Sequence, residues 1–356
     1  MDGYQITEVN TKDHSANLDE LVQLIAMFLF EFESPLPIYS KPRIRTDLLL
    51  FNRKSHYWKY FLLRKDGKAI GYIKYSINLL QDKHMSTIQT YLLPDHRKQE
   101  LSKMLLTHCM QTIPDTVDTI EFFMRKELDE SKMIFHDLVI SLHGKLTYLE
   151  LVNVAHIEHY YSFEMRQKYQ KMIQPAKDKG YHLEFYENGS YLTDQKFDID
   201  AYIAVLEGIS NDMPREEASW EDETWDVDRL KARYEYSAQK AEHFWTFIAM
   251  HSVSNKPVGM TEVIIQDTRP IMIEQMETGV IREHRGNKLG LLLKFAMLDR
   301  ILEHPQAREA KFWKTENAAS NTHMLEINSQ LGFRPMYQQA VYEVPRKHIK
   351  VWLNCV

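Results

Sequence analysis

The chain has 356 residues, 44% of them hydrophobic and 26% charged; this gives room for two domains of ordinary size and excludes disorder, a collagen repeat or a disulfide-stapled miniprotein. A formal charge of −6 provides no overall basic field to hold nucleic acid or an anionic membrane, so neither is expected as a partner. Two cysteines, Cys109 and Cys355, without CxxC spacing, supply neither a disulfide framework nor a thiolate zinc site, and no metal site is expected.

The first segment, MDGYQITEVN, is polar and lacks a basic stretch followed by an apolar one, so no signal peptide is expected. Residues 21–30 form the longest apolar stretch and fall far short of the ~20 residues a spanning helix needs. A cytoplasmic, soluble protein is the expectation. A helix over 18–30 leads to FLLRKDGKAIGYIKYSI (61–77), two apolar runs about Asp66-Gly67 that read as a hairpin. A strand over 86–93, a helix over 101–112 stopped by Pro114, a strand over 119–124 and a further helix follow. The polar stretch 156–180 reads as a linker helix; its His-Ile-Glu-His run at 156–159 is not a closed metal motif. Beyond it, Asn188-Gly189-Ser190 reads as a turn. Next come a helix over 199–209, an acidic segment over 211–228 and a second hairpin, FIAMHSVSNKPVGMTEVII (247–265). A strand over 271–281, a helix over 289–303 ended by Pro305, a strand over 310–314, a helix and closing strands complete the chain.

This order occurs twice. Gly71 and Gly259 are 188 residues apart, and at the same offset LLPDHRKQELSKMLL (92–106) lies over VIREHRGNKLGLLLK (280–294). That places His96 on His284, Arg97 on Arg285 and Leu101 on Leu289, while Leu142-His143-Gly144 falls on Gln330-Leu331-Gly332. The chain therefore reads as two copies of one domain, residues 1–155 and 181–356, joined by 156–180. Each copy is α/β (α+β), with helices flanking a mixed rather than all-parallel sheet.

In the second copy the strand-to-helix junction is Arg285-Gly286-Asn287-Lys288-Leu289-Gly290. A glycine-containing turn opening a helix exposes unpaired N–H groups at its positive end, which suits a phosphate, and Arg285 and Lys288 add charge. Taken alone, the motif reads equally as an ordinary helix start. It is neither the P-loop nor the GxGxxG dinucleotide pattern. Downstream, in TENAASNTHMLEINSQLGF (315–333), Asn317 or Ser320 would cap a helix closed by Gly332. Asn317, Asn321, Met324 and Asn328 would then share one face, either solvated or lining a polar ligand.

Strand, VIREHRGNKLG, long helix, strand and TxNAxSNxxMLxINxxLGF together resemble the GNAT N-acetyltransferases, specifically bacterial tandem-domain members. The resemblance covers 181–356 well and 1–155 only through the repeat. It implies two tandem GNAT-like domains, each with a mostly antiparallel central sheet, and an acetyl-CoA pyrophosphate held by Arg285, Gly286, Asn287, Lys288, Leu289 and Gly290. Lys288 stands where that family's loop has its central glycine. The resemblance also implies pantetheine contacts at Gly279, Val280 and Ile281, and coenzyme contacts at Asn317, Ser320 and Asn321. In the first copy Lys98, Glu100 and Ser102 replace Gly286, Lys288 and Gly290. A carboxylate ~4 Å from a phosphate opposes binding by ~1 kcal/mol even in water. Only the second copy is expected to bind acetyl-CoA.

Acetyl transfer to an amine titrating near ~10.4 benefits from a base. Glu277, then Glu274, are the candidates in Met272–Thr278; strict alternation would send them to opposite faces unless a bulge intervenes. By the resemblance, an acid often stands at the place of Glu277, a tyrosine proton donor often stands where this chain has Asn328, and a backbone N–H near Val280 or Ile281 would hold the oxyanion. Tyr337 and Tyr342 read more simply as strand packing. The eight carboxylates of 211–228, interleaved with Trp220 and Trp225, suit a cationic amine or are a solvated loop. The expected function is acetyl-CoA-dependent N-acetylation of a small-molecule primary amine, by direct attack in a ternary complex. The alternative is a non-catalytic coenzyme-A-binding sensory or interaction protein.

Overall fold

The computed structural model describes residues 3–50, 55–126, 136–157 and 163–354. Cys355, Glu158 and His159 lie outside the described residues. The elements are β1 (Tyr4–Val9), α1 (Ala16–Glu33), α2 (Lys41–Leu49), β2 (His56–Lys65), β3 (Lys68–Asn78), β4 (Met85–Leu92), α3 (Gln99–Thr112), β5 (Thr119–Arg125), α4 (His136–Ser141) and β6 (Lys145–His156). The chain continues through α5 (Phe163–Asp178), β7 (Tyr181–Glu187), α6 (Ile199–Asp212), α7 (Val227–Gln239), β8 (Glu242–His251), β9 (Lys256–Gln266) and β10 (Met272–Val280). It ends with α8 (Leu289–Glu303), β11 (Phe312–Ala318), α9 (Thr322–Gln330), β12 (Arg334–Pro345) and α10 (Arg346–Asn354). The repeat is visible in these limits: β9 begins and ends 188 residues after β3.

Two compact units form, and they do not divide the chain at 156–180. The first comprises residues 1–150, 215–221 and 337–356, and the second 151–214 and 222–336. The cause is where the closing strands pair. Residues 339–345 of β12 run antiparallel to β5, from Gln339↔Arg125 to Pro345↔Thr119, and so complete the first unit's sheet. Arg346, 6% exposed, opens α10 and donates to the carbonyls of Met110, Ile113, Pro114 and Val117 at the end of α3. Met110 lies in the last turn of α3, where a helix leaves carbonyls without intrahelical partners, and the other three lie in the turn that follows.

Within each unit the pairing is antiparallel along β1-β2-β3-β4 and β7-β8-β9-β10, with parallel pairing between β4 and β5 and between β10 and β11. Each is thus a mixed, mostly antiparallel sheet flanked by helices. In the second unit α6 and α7 pack on one face around Tyr202, Val205, Leu230 and Ile264, and α8 and α9 on the other around Phe295, Trp313 and Ile327. Helix α8 is apolar nearly all round, which is why it sits buried. A Cβ at Gly259 would meet the Gly279 carbonyl oxygen at 2.7 Å, and one at Gly71 the Tyr91 carbonyl oxygen at 2.5 Å. The same close approach of two strands is therefore built into both copies. Among the described residues no helix is long and apolar enough to cross a membrane.

Candidate functional site

The parallel pairing of β10 with β11 runs from Met272↔Phe312 to Glu274↔Lys314, although β10 continues to Val280 and β11 to Ala318. On its other side β10 stays paired with β9 through Val280↔Gly259, and the Ile281 N–H donates to Val258 O at 2.9 Å. Residues 281 and 258 are thus a hydrogen-bonded antiparallel pair. Alternation then turns the N–H groups of Val280 and Thr278 the other way, toward β11. Of the two N–H groups named for an oxyanion, Ile281's is therefore taken up by the sheet. A cavity of about 780 Å³ opens at this point, lined by Thr278, Gly279 and Val280, by loop residues 284–286 and 288–291, by Ile209 to Pro214 in part, and by Asn321, Met324 and Ile327.

The loop is held by its own polar side chains. Arg285 Nε donates to Val280 O at 2.9 Å and its Nη2 to Asp212 Oδ2 at 2.6 Å, while Arg282 also binds Asp212. Arg282 is the main reason that the Asp212 carboxyl lies below its usual range, with Arg285 adding to it. Asn287 Nδ2 donates to His284 O at 3.0 Å, and its Oδ1 accepts from Lys179 Nζ, so this side chain braces the turn. Lys288 adopts φ 60°, the left-handed conformation usual for glycine, and starts α8 with no side-chain cap on the helix. The exposed first-turn N–H groups therefore open onto the cavity. A Cβ added at Gly286 (φ 78°) would meet nothing within 4 Å, and one at Gly290 only Ile327 Cδ1 at 3.5 Å. Packing does not require glycine at 290, yet glycine in a helix costs ~0.5–1 kcal/mol relative to alanine. Space kept open at a helix N-terminus matches a pyrophosphate.

The two strand carboxylates share one face. A bulge between Gln275 and Thr278 sets Met276 and Glu277 against a single partner position on β9. Gln275 and Thr278 accordingly both reach Thr261, leaving Glu274, Met276 and Glu277 on the α6–α7 side. Glu274 is bound by Arg269 and Gln266. Glu277 Oε2 stands 4.0 Å from Arg233 Nη2 and does not line the cavity, whose wall begins at Thr278. Arg233 also binds Glu262, which is 0% exposed and accepts from Thr246 Oγ1 at 3.0 Å. Burial pushes the Glu262 carboxyl up, with Arg233 opposing.

Asn317 lies on β11 rather than on a helix, and the helix cap falls four residues after Asn317 and one after Ser320, the two expected positions. Asn321, not Asn317 or Ser320, caps α9, its side chain accepting from Met324 N at 3.2 Å. Ser320 is exposed and does not line the cavity. Asn317 and Asn328 nevertheless meet: Asn328 Nδ2 donates to Asn317 Oδ1 at 2.6 Å, and Lys294 Nζ donates to Asn328 Oδ1 at 2.6 Å. Sequence reasoning missed Glu262, Arg233 and Lys294. The repeat offset held a signal for the first, since Glu262 falls on Lys74, and a lone lysine inside LLLKFAML was one for the third.

The corresponding junction of the first unit is closed on itself. Arg97 Nε donates to Leu92 O at 3.2 Å and Arg97 binds Glu31, repeating the Arg285 arrangement. Ser102 is buried where Gly290 leaves room, and Glu100 is exposed on the first turn of α3. The acidic segment is divided. Trp220 donates to the buried Glu121 and packs on Tyr148 in the first unit, whereas Trp225 lies under Arg229 in the second. Asp226 caps α7, Glu217 pairs with Lys145, and Glu223 accepts from Trp225 Nε1. Among the described residues no group of three or more His, Cys, Asp or Glu is placed to hold a metal ion.

Residues 21–124 match the sequence model of the acetyltransferase (GNAT) family, so the family signature falls on the first unit, whose junction lacks the glycines. No curated protein matches the sequence. Among solved structures the chain is similar to a tandem GNAT protein from the clavulanic acid biosynthesis pathway, at 17% identity and TM-score 0.69, covering 96% of this chain and 98% of that one. A GCN5-related N-acetyltransferase from Sphaerobacter thermophilus gives 14% identity and TM-score 0.65, covering 97% and 96%. At these identities the likeness is one of fold.

Proposed function

We propose, from the premise that this chain is a tandem GNAT protein carrying the family signature at residues 21–124, that its second unit acetylates a primary amine of a small molecule using acetyl-CoA. The observation that carries this is the open cradle at Gly286 and Gly290, where neither residue's missing side chain is replaced by protein atoms closer than 3.5 Å. The first-turn N–H groups of α8 and Lys288 would hold the pyrophosphate, and the N–H groups of Thr278 and Val280 the chain that follows it. Acetyl-CoA supplies the acetyl group as a thioester. An amine titrating near ~10.4 is protonated at neutral pH and cannot attack, so Glu277 Oε2 takes its proton, directly or through one water. Arg285, tied to Val280 O and Asp212, shapes the loop. The family signature on the first unit follows the shared scaffold, not the cradle.

Titration calorimetry with acetyl-CoA should give one site per chain, and thiol release should appear with at least one amine in a panel. Two equivalent sites would place a cradle in the first unit as well and refute the asymmetry. A second reading, a coenzyme-binding sensor without turnover, is favoured by Glu277 standing outside the cavity wall and by a carboxamide at Asn328. Tight one-to-one binding with no thiol released across the panel selects it.

A further inference from the structure

The loop's own arginine is committed within the protein, since Arg285 donates to Val280 O and to Asp212. One residue earlier, His284 lines the same cavity as Gly286 and Lys288, and a directed chain of side chains holds its ring. Asn287 Nδ2 lies 3.0 Å from His284 O and 3.4 Å from Arg285 O. Backbone carbonyls only accept, so this carboxamide has one orientation. The same NH2 donates to the Tyr181 hydroxyl at 3.3 Å. That hydroxyl stands 2.9 Å from His284 Nδ1, and among the described residues it has no other acceptor for its hydrogen. Tyr181 therefore donates to Nδ1. A neutral imidazole whose Nδ1 accepts carries its own hydrogen on Nε2. Burial, and after it the His251 ring at 5.1 Å, lower His284 from the ordinary imidazole value, with Glu283 opposing. A second proton, at Nδ1, would also leave the tyrosine hydrogen without an acceptor. Nε2 has no partner among the described residues.

The first unit has some of these parts without the chain. Tyr4 pairs with Lys65, the last residue of β2, as Tyr181 pairs with His251, the last residue of β8, and His96 stands 188 residues before His284. Gln99 takes the place of Asn287, and Lys65 Nζ lies 5.7 Å from the Tyr4 ring centroid. Among the described residues no hydrogen bond joins Tyr4 to His96. The directed chain thus occurs in the unit that also has the open glycine turn.

We propose that His284 is a binding residue for the coenzyme: its Nε2–H, fixed by Tyr181 and Asn287 as positioning residues, donates to a phosphate oxygen lying in the cavity. This rests on the acetyl-CoA reading of that cavity. Lys288 and the first turn of α8 already supply a positive field there, so what a neutral ring adds is direction, in a hydrogen bond to a charged acceptor.

Nitrogen NMR of the free protein at neutral pH should show His284 protonated at Nε2 and accepting at Nδ1. His284→Phe keeps a ring and removes the donor, and its acetyl-CoA Kd should rise about tenfold, the scale of one hydrogen bond. His284→Gln returns an N–H near the Nε2 position and should bind within about threefold of wild type. Tyr181→Phe frees Nδ1, so the ring should show both tautomers and Kd should rise about threefold. Acetyl-dephospho-CoA identifies the phosphate. An equal loss for both ligands in His284→Phe assigns the pyrophosphate, and a loss confined to acetyl-CoA assigns the 3′-phosphate. A folded His284→Phe variant with wild-type affinity for both ligands overturns the inference, as does a wild-type ring with its proton on Nδ1. Should His284→Phe not fold, a Tyr181→Phe variant with wild-type affinity and a single unchanged tautomer overturns it. If the wild-type protein binds no acetyl-CoA, the reading of the cradle fails and this inference with it, whereas the wrong tautomer in a protein that binds acetyl-CoA removes the inference alone.

Discussion

Glu262 and Lys74 occupy one position of the repeat with opposite charge, each three residues past the glycine over which the next strand crosses. Burial raises the Glu262 carboxyl and lowers the Lys74 ammonium, the latter to about 8. At this position the second unit therefore carries an acid, and Arg233 stands between Glu262 and Glu277. In the first unit Gln89 replaces Glu277 at the same offset, so the acid pair and the glycine cradle occur together in one copy and are lost together in the other.

Arg233 is then the residue on which the acidic centre depends. Arg233→Met leaves Glu262 buried without its cation and should destabilise the protein by about 3–5 kcal/mol, read by urea unfolding. The sign with pH follows from the raised carboxyl. The folded state holds a proton that the unfolded chain releases, so stability should fall as pH rises above ~4.5. That fall should be steeper in the variant than in wild type. Adding Glu262→Gln should remove most of the pH dependence; a double variant that keeps the slope would assign it elsewhere.

Much of this arrangement was legible in the sequence because it is local. The repeat offset, the two hairpins and the limits of α8 all follow from apolar runs and glycine or proline punctuation over short stretches. What was not legible depends on distant or single-residue events. The pairing of β12 with β5 joins residues more than two hundred positions apart, and no periodicity reports it. The bulge at Met276 and Glu277 inserts one residue and thereby moves Glu277 onto the face of Glu274, which strict alternation forbids. Asn317 reads as helical from its spacing with Asn321, Met324 and Asn328, yet the strand runs through Ala318 and Asn321 supplies the cap.

Gly290→Ala separates the needs of the fold from those of the ligand. The added methyl would meet Ile327 Cδ1 at an ordinary 3.5 Å, so the helix should gain up to ~1 kcal/mol. The same methyl enters the cavity at the first turn of α8. The expected pair of results is a higher Tm and weaker acetyl-CoA binding. Unchanged affinity would show that the ligand does not approach this turn.

Lys294 gives the protein an alkaline signature. Its folded value, about 7, lies below the ordinary 10.5, so between these values the unfolded state holds a proton that the folded state lacks. Stability should therefore rise with pH across that window and show no gain from this group below it. Other groups also titrate there, so the observable is the difference between wild type and Lys294→Met in unfolding free energy from pH 6 to 10. A constant difference would mean that Lys294 keeps its charge in the folded state.

Glu277→Gln keeps the shape of the side chain and removes the proton acceptor. If Glu277 accepts the amine's proton, the rate should fall ~10²–10⁴-fold with acetyl-CoA affinity nearly unchanged, and the loss should shrink as pH rises and free amine becomes abundant. Glu274→Gln is the comparison, and its value lies in its partner, because both side chains leave the strand on one face. Arg269 and Gln266 hold Glu274, whereas the Glu277 carboxylate has Arg233 at 4.0 Å. Glu274→Gln should therefore act mainly on stability, through the loss of a paired charge beside Arg269. A fall of under about threefold for Glu277→Gln, or a larger rate loss for Glu274→Gln in a folded variant, would move the proton-accepting role to another residue. Glu262 is a poor substitute for it: at 0% exposed and bound by Arg233 and Thr246, it cannot reach a substrate amine without breaking the pair that keeps it buried.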